Sequence, residues 1–315
     1  MTIVIIANPH ATGVTTELLG TVVDVLERAN SVDVRKTTVP GEASKLADAA
    51  VRASGTQAVI AVGGDGTVNE VVNGLLAANF GDGIPPLGVV PAGATNVFAR
   101  SLGFPNDPIQ AATMLRMLLE AGSNHKIGVG RVAERYFTFC AGVGLDAAVI
   151  EHVHRQRARG EPSTLSRTAF AAARQLLSAQ RPQLDLALPN AKCVNGLAWL
   201  VVTNTDPWTY VYRKPLRPTP HASFDLGLDI YALDALGPLR LARSLVQMSR
   251  RHPRHDGKGI QTAHNLSNFD IQSIDPVAVQ VDGESLARSS HLRFTSVPLA
   301  LPVIAPSPYR SVERR

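Results

Sequence analysis

Apolar and polar positions follow two rhythms along this chain, and the rhythm changes near residue 127. In the first part, short apolar runs alternate with segments whose apolar residues fall three and four apart. The run Ala58–Val62 reads as a buried parallel strand. It stops at Gly63-Gly64-Asp65-Gly66. Val68, Val71, Val72, Leu75 and Leu76 then recur at i, i+3, i+4, i+7 and i+8, which predicts an amphipathic helix. The same logic predicts strands at Thr2–Ile6, Val32–Thr38 and Leu87–Val90. Helices are expected at Thr16–Ala29, Ala43–Ser54, Val97–Leu102 and Pro108–Ala121. Strands alternating with helices imply a parallel sheet with right-handed crossovers.

After residue 127 the segments are short, rich in β-branched or aromatic residues, and punctuated by Pro, Gly, Asn and Asp. Ile127–Val132, Tyr136–Cys140, Leu184–Leu188, Leu197–Val202, Gly227–Leu233, Asn268–Ile274, Val277–Val281 and Leu292–Val297 predict a mostly antiparallel β domain. Helical insertions are expected near Ala147–Gln180 and Leu236–Arg251. No internal repeat is visible. Ser307–Arg315 reads as a frayed end.

Composition narrows the picture. A chain of 315 residues that is 45% hydrophobic and 18% charged has ample material for a core. No apolar run is long enough for a spanning helix. Met1–Asn8 lacks the basic start of a signal peptide and reads as a strand. Cys140 and Cys193 have no metal-site or disulfide spacing, which fits a reducing cytosol. The charge is uneven: residues 1–126 carry net −3 and residues 127–315 net +8. A basic second half suits an anionic partner, nucleic acid or membrane. Only 5% of residues are aromatic and none interleave with basic runs, which disfavours nucleic acid.

Three turns share one design. Asn8–Gly13, Gly63–Gly66 and Pro91–Asn96 each follow a strand, are rich in small or amide residues, and open a helix. Such turns gather at the C-terminal edge of an open α/β sheet, where ligands bind. They present backbone N–H groups and a helix dipole to an anion, although ordinary strand-to-helix connections also favour glycine. Asp65 sits inside the central turn. A carboxylate beside a phosphate is repulsive unless a cation intervenes, so Asp65 points to Mg²⁺. Thr67 and Glu70 are spaced as a capping box. The Walker pattern GxxxxGK[ST] is absent.

With these motifs in hand, the chain resembles the diacylglycerol kinase catalytic-domain family of soluble bacterial lipid kinases, related to sphingosine and ceramide kinases. Asn8–Gly13 is similar to an NPxSG turn. Gly63–Glu70 carries GGDGTxNE in full, and Pro91–Arg100 resembles PxGTxNDFAR. Cys140–Ala147 resembles N-x-x-G-x-G-x-D-A, with Cys140 in place of Asn. Asp225–Asp229 resembles an acidic turn of the second domain, and Asp282-Gly283-Glu284 a late DGE motif. The resemblance covers nearly the whole chain in motif order.

The resemblance implies a fold of α/β plus β class: a Rossmann-like nucleotide domain (residues 1–126), a β-sandwich lipid-substrate domain (127–297), and a segment 298–315 that returns to the first. It implies ATP- and Mg²⁺-dependent phosphorylation of a lipid hydroxyl, diacylglycerol first, in a cleft. Asn8, Thr12, Gly13, Thr37, Gly63, Gly64, Asp65, Gly66, Thr67, Asn69, Glu70, Ala94 and Thr95 would border the nucleotide. Glu284 would accept the hydroxyl proton, with Asp282 beside it and Asp65 a competitor for that role. Asp65 and Asp225 would hold Mg²⁺. Local readings stand beside these: Glu70 as a helix cap, Thr37 as a strand end, Asp225 as a turn residue, and DGE as a hairpin. The chain departs from the family at Ala94 (usually Thr) and Val97 (usually Asp). Thr95, one position on, is the candidate to replace the missing hydroxyl.

Residues 151–160 and 250–258 are basic runs. They read as solvated faces or as contacts to an anionic membrane, with the stripe Leu241, Ala242, Leu245, Val246 and Met248 beside the second. The expected location is the cytoplasm, peripheral at the inner membrane face. Rival readings are a kinase of sphingoid or ceramide type, an NAD kinase, and a catalytically silent nucleotide-binding regulator. NAD kinase shares GGDGT, but its adenosine motifs are not visible here. The acceptor lipid and the oligomeric state are not encoded legibly.

Overall fold

The computed structural model of the chain describes residues 2–11, 13–28, 30–77, 83–158, 183–189 and 191–306. It divides into two compact units, Met1–Val129 with Pro298–Arg315, and Gly130–Val297.

The first unit is a parallel sheet with helices on its faces. Its elements are β1 (Thr2–Ala7), α1 (Thr16–Glu27), β2 (Ser31–Lys36), α2 (Glu42–Arg52), β3 (Thr56–Gly63), α3 (Asp65–Ala77), β4 (Leu87–Pro91), α4 (Val97–Ser101) and α5 (Pro108–Glu120), followed by the start of β5 (His125–Val132). The strand order is β2-β1-β3-β4, and every pair is parallel. The last strand of the chain ends beside β4, with Val303 opposite Leu87 and the Ile304 N–H on the Leu87 carbonyl. β1, β3 and β4 are almost wholly buried because both sheet faces are covered, which explains their unbroken apolar runs. Thr15 caps α1 through the Leu18 N–H, and Asp107 caps α5 ahead of Pro108. Packing between α2 and α3 depends on Gly74, where a Cβ would lie 2.1 Å from the Ser44 carbonyl oxygen.

The chain visits β2 on one side of β1 and then returns to β3 on the other. The order of strands therefore reverses between β1 and β3. A crevice forms at such a reversal, outside the C-terminal strand ends.

The second unit is antiparallel. It continues β5 and adds β6 (Arg135–Phe137), β7 (Cys140–Val143), α6 (Leu145–Ala158), β8 (Leu184–Ala187), β9 (Cys193–Leu197), β10 (Trp199–Thr203), β11 (Thr209–Val211), β12 (Lys214–Leu216), β13 (Leu228–Leu233), α7 (Pro238–Met248), β14 (Ile260–Leu266), β15 (Asn268–Val281) and β16 (Glu284–Val303). One path runs β14-β13-β10-β7-β15-β16, with β8 and β9 along the other half of β15. One core holds Leu200, Val202, Leu228, Ile230, Leu184, Leu186, Phe269 and Phe294. A second cluster lies between the sheet and the helices, around Trp199, Tyr231, Leu145 and Met248.

The α/β-plus-β class stands. Several details differ from the pattern-based expectation. Asn268–Ile274 and Val277–Val281 form a single strand, because Asp275-Pro276 fits a register shift rather than ending the ladder. β14 lacks a predicted counterpart: it is an edge strand with a polar outer face. The strand Leu197–Val202 splits at Ala198 into β9 and β10. Of the helical insertion Ala147–Gln180, α6 accounts for the start, and residues 159–180 lie outside the described residues, as does Ser307–Arg315.

Candidate functional site

In the first unit the three glycine turns meet. The Asn8 N–H donates to the Val62 carbonyl at 3.2 Å, the Ala92 N–H to the Gly63 carbonyl at 2.8 Å, and the Gly13 N–H to the Ala92 carbonyl at 3.1 Å. Asn8 Nδ2 reaches Thr67 Oγ1 at 3.3 Å, while Asn8 Oδ1 accepts the His10 N–H. The contact is backbone to backbone. A Cβ at Gly93 would sit 2.5 Å from Gly64 Cα, and one at Gly13 would sit 2.7 Å from the Ala92 carbonyl oxygen. Glycine is needed here for close approach. Asn8, Gly13, Gly63, Gly64, Asp65, Gly66, Thr67, Ala94 and Thr95 thus gather at the C-terminal ends of β1, β3 and β4. Thr37 follows β2 at the same edge, its N–H on the Ala7 carbonyl at 2.9 Å. Thr12 lies outside the described residues.

Asn69 does not join this edge. It is fully buried in α3, where its Oδ1 and carbonyl accept from Asn73 Nδ2.

The acids of the first unit act as clamps on backbone. Asp65 Oδ2 accepts from Thr95 Oγ1 and from the Val97 N–H, each at 3.0 Å, and Oδ1 from the Phe98 N–H at 3.2 Å. Its charge thereby faces the N-terminal N–H groups of α4. This answers in part the repulsion that made a cation attractive. The Thr95 hydroxyl proton is committed to Asp65, so Thr95 is not a free replacement for the hydroxyl missing at Ala94.

Glu70 corrects the capping-box expectation. Its carboxylate does not turn back on its own helix. It accepts the Gly41 N–H at 2.9 Å and the Ala43 N–H at 3.2 Å, capping α2 from outside. Helix α2 starts from Gly41 at φ 80° with no side-chain cap of its own, and Glu70 fills that place from α3.

Sequence reasoning passed over Asn96. It adopts φ 49°, accepts the Gly93 N–H, and donates through Nδ2 to the Gly93 carbonyl and to Asn106 Oδ1. Its signal is an amide three residues after a turn glycine, in a conformation Asn tolerates best.

In the second unit, Asp282-Gly283 is the tip of the β15–β16 hairpin, with Val281 opposite Glu284. Both tip residues have positive φ, 49° and 84°, as a two-residue type I′ turn requires. The hairpin reading and the motif reading therefore describe one object. Asp282 is buried. Its Oδ2 accepts from the Thr138 N–H (2.6 Å) and hydroxyl (2.9 Å), and its Oδ1 from the N–H groups of Phe139 (3.0 Å) and Cys140 (3.1 Å). Four donors fill the acceptor positions of one carboxylate. These bonds tie the hairpin tip to residues 138–140. Glu284, at the first position of β16, is half-buried.

Asp225 is exposed, and its N–H faces Ser223 Oγ at 3.3 Å. The buried acid of that turn is Asp229. It contacts His264 Nδ1 through both oxygens at 2.8 Å and accepts the Asn265 N–H. Burial pushes the Asp229 carboxyl upward, against the pull of Asn265 and His264. Asp146 of the Gly-rich motif is raised by burial as well, and is held by Gln280 Nε2 and Trp199 Nε1 at 3.0 Å each. Burial carries Asp206 up to about 7, with the Arg217 guanidinium at 3.0 Å opposing. Among the described residues, no group of three or more His, Cys, Asp or Glu side chains is placed to hold a metal. Mg²⁺ does not need such a cage, since it is commonly bound by one or two carboxylates plus phosphate oxygens.

Residues 2–132 match the model of the diacylglycerol kinase catalytic domain. The chain is 44% identical over 111 residues to "Diacylglycerol kinase" of Bacillus subtilis, covering 34% of this chain and 33% of that protein. It is 39% identical over 125 residues to "Probable lipid kinase YegS-like" of Chromohalobacter salexigens, covering 40% of this chain and 38% of that one. The matches thus span little more than a third of these relatives' length. Among solved structures, a diacylglycerol kinase from Bacillus anthracis superposes with TM-score 0.72 over 97% of both chains at 19% identity. An NAD kinase from Archaeoglobus fulgidus in complex with ATP gives 0.53 over 98% of this chain and 94% of that one, at 10% identity. These two likenesses establish the fold, including that of the second unit.

Proposed function

We propose, on the match of residues 2–132 to a diacylglycerol kinase catalytic domain, that this chain is an ATP- and Mg²⁺-dependent lipid kinase. It moves the γ-phosphate of ATP to a lipid hydroxyl, with diacylglycerol as the first acceptor and phosphatidic acid as the product. The observation that carries the reading is the close approach of Gly13, Gly64 and Gly93 at the C-terminal strand edge, where a Cβ would press on the backbone of a neighbouring turn, so that three turns of the phosphate-binding kind share one edge.

Phosphoryl transfer asks for phosphate positioning, a cation and a base. The N-terminal end of α3, with Gly66 and Thr67 in its first turn, supplies N–H groups and a favourable dipole for phosphates. Asn8 braces that turn from β1. Asp65 is the carboxylate at this edge. It is half-buried and within reach of solvent, so it is the candidate Mg²⁺ ligand as well as the clamp on α4. Glu284 is the acid of the DGE motif left to accept the hydroxyl proton, since Asp282 is committed to backbone. Asp225, exposed and outside any cluster, is the second candidate for a cation. The basic second half suits a kinase that visits an anionic membrane from the cytoplasm.

Incubation with labelled ATP, Mg²⁺ and dispersed diacylglycerol tests this, followed by sphingoid and ceramide-type alcohols. Labelled phosphatidic acid is the expected product. Product from another lipid alcohol alone moves the acceptor, and ATP binding without transfer to any of them selects the silent regulator. Ala94, exposed and without a hydroxyl, is the observation that favours the silent reading.

A further inference from the structure

Helix α7 shows a face that the second unit leaves unused. Leu241, Leu245 and Met248 pack inward against the cluster of Trp199, Tyr231 and Ile260, with Ser244 buried between them. The apolar stripe expected from sequence is therefore largely core. On the opposite side lie Leu239, Ala242, Arg243 and Val246, with Arg250 just past the helix, at i, i+3, i+4, i+7 and i+11. At 100° per residue these fall within about 100° of arc. Leu239 is 76% exposed and Val246 58%.

The surroundings are strongly cationic. Residues 238–258 hold six Arg or Lys, namely Arg240, Arg243, Arg250, Arg251, Arg254 and Lys258, against the single acid Asp256. Arg240 is the internal one: it pairs with Asp234 at 2.6 Å and donates to the Lys258 carbonyl. Gly259 leaves room for that pair, since a Cβ there would lie 1.8 Å from Arg240 Nη2. The pair pins the loop after α7 to the start of the helix. The face is thus held rigid by one arginine and charged by the others.

We propose that this face of α7, with the basic segment behind it, docks on an anionic lipid bilayer. Leu239 and Val246 enter the headgroup boundary, and Arg243 and Arg250, on the same arc, meet lipid phosphates. The chemistry separates a bilayer from a soluble polyanion. A polyanion uses the arginines and has no use for two large aliphatic side chains between them, whereas an amphipathic interfacial helix needs both. The proposal rests on the lipid-kinase reading for its biological sense, but not for its test.

Sedimentation of the purified chain with vesicles of phosphatidylcholine, with and without phosphatidylglycerol, decides it. Binding is expected to the anionic vesicles and to weaken steeply with added salt. Each arginine near the surface is worth roughly fivefold in partitioning, so Arg243→Gln with Arg250→Gln lowers binding roughly thirtyfold. Leu239→Gln with Val246→Gln lowers it about tenfold or more. Both variants should keep the melting temperature of the parent and full activity on a water-soluble short-chain diacylglycerol. Absence of binding to anionic vesicles overturns the proposal. So does an unaffected Leu239/Val246 double variant whose binding heparin competes away, which assigns the face to a polyanion. If no chain phosphorylates the short-chain lipid, the kinase reading falls and the vesicle result still decides the docking.

Discussion

Asp65 and Asp282 are both followed by glycine, both belong to motifs that suggest catalysis, and both turn their carboxylates onto the backbone of another segment. Their burial separates them. Asp65 is half-buried at the edge where three turns meet, and its partners begin 30 residues away. Asp282 is buried at a hairpin tip, and four donors from Thr138 to Cys140 saturate it. A carboxylate at an open edge stays within reach of water and ions, whereas a buried one is shut off from both. Motif acids therefore divide by exposure, and exposure is not a local property.

Asp282→Ala breaks the comparison most sharply. It leaves three N–H groups and a hydroxyl buried without an acceptor and is expected to cost about 4 kcal/mol. Urea unfolding checks this; a loss under about 1 kcal/mol would show that Asp282 is not a clamp. Asp65→Asn should show the opposite signature: turnover falls about a hundredfold or more, while stability moves by no more than about 1 kcal/mol, because Oδ1 still accepts and water reaches the edge. A fully active Asp65→Asn enzyme removes the residue from the chemistry.

Glu70→Ala probes a third clamp of intermediate strength. Losing the external cap on α2 should cost about 1–2 kcal/mol. Glu70→Gln should recover part of it, since one amide oxygen can still serve Gly41. Equal melting temperatures for all three forms would return Glu70 to the candidates for nucleotide contact.

Asp206 extends the comparison: half-buried, it has one cation beside it and a buried Oδ1 without a hydrogen-bond partner. Burial places its pKa at about 7 in the folded chain, against about 3.9 unfolded. Between those values the folded state holds the extra proton. Stability therefore falls as pH rises from about 4 to about 7, by up to about 1.4 kcal/mol per pH unit. Asp206→Asn should flatten that part of the pH–stability curve. An unchanged slope assigns the pH dependence elsewhere.

Much of the fold was legible because it is written in local periodicity. Ala58–Val62 is apolar throughout because β3 is covered on both faces, and α3 shows its helical spacing in Val68, Val71, Val72, Leu75 and Leu76, all of them buried, while Asn69 and Asn73 are buried with them. The glycine turns were legible as well, since a strand end followed by small residues and a helix is a pattern within some twenty positions. Where local reasoning failed, the partner was distant. Glu70 looked like a cap for its own helix, and the N–H groups that donate to it lie at the start of α2, up to 29 residues back. Met248 and Val246 looked alike in the α7 stripe, and only packing turned one into the core and left the other outside.

By itself, then, the sequence determined the α/β-then-β order of the chain, the three glycine turns between strand and helix, and the resemblance to a family of lipid kinases. Tertiary structure decided what each acid does. A carboxylate's role depends on which donors fold against it and whether water remains, and those donors arrive from as far as 144 residues away. Periodicity reports which side of an element is apolar; it carries no record of what the polar side will meet.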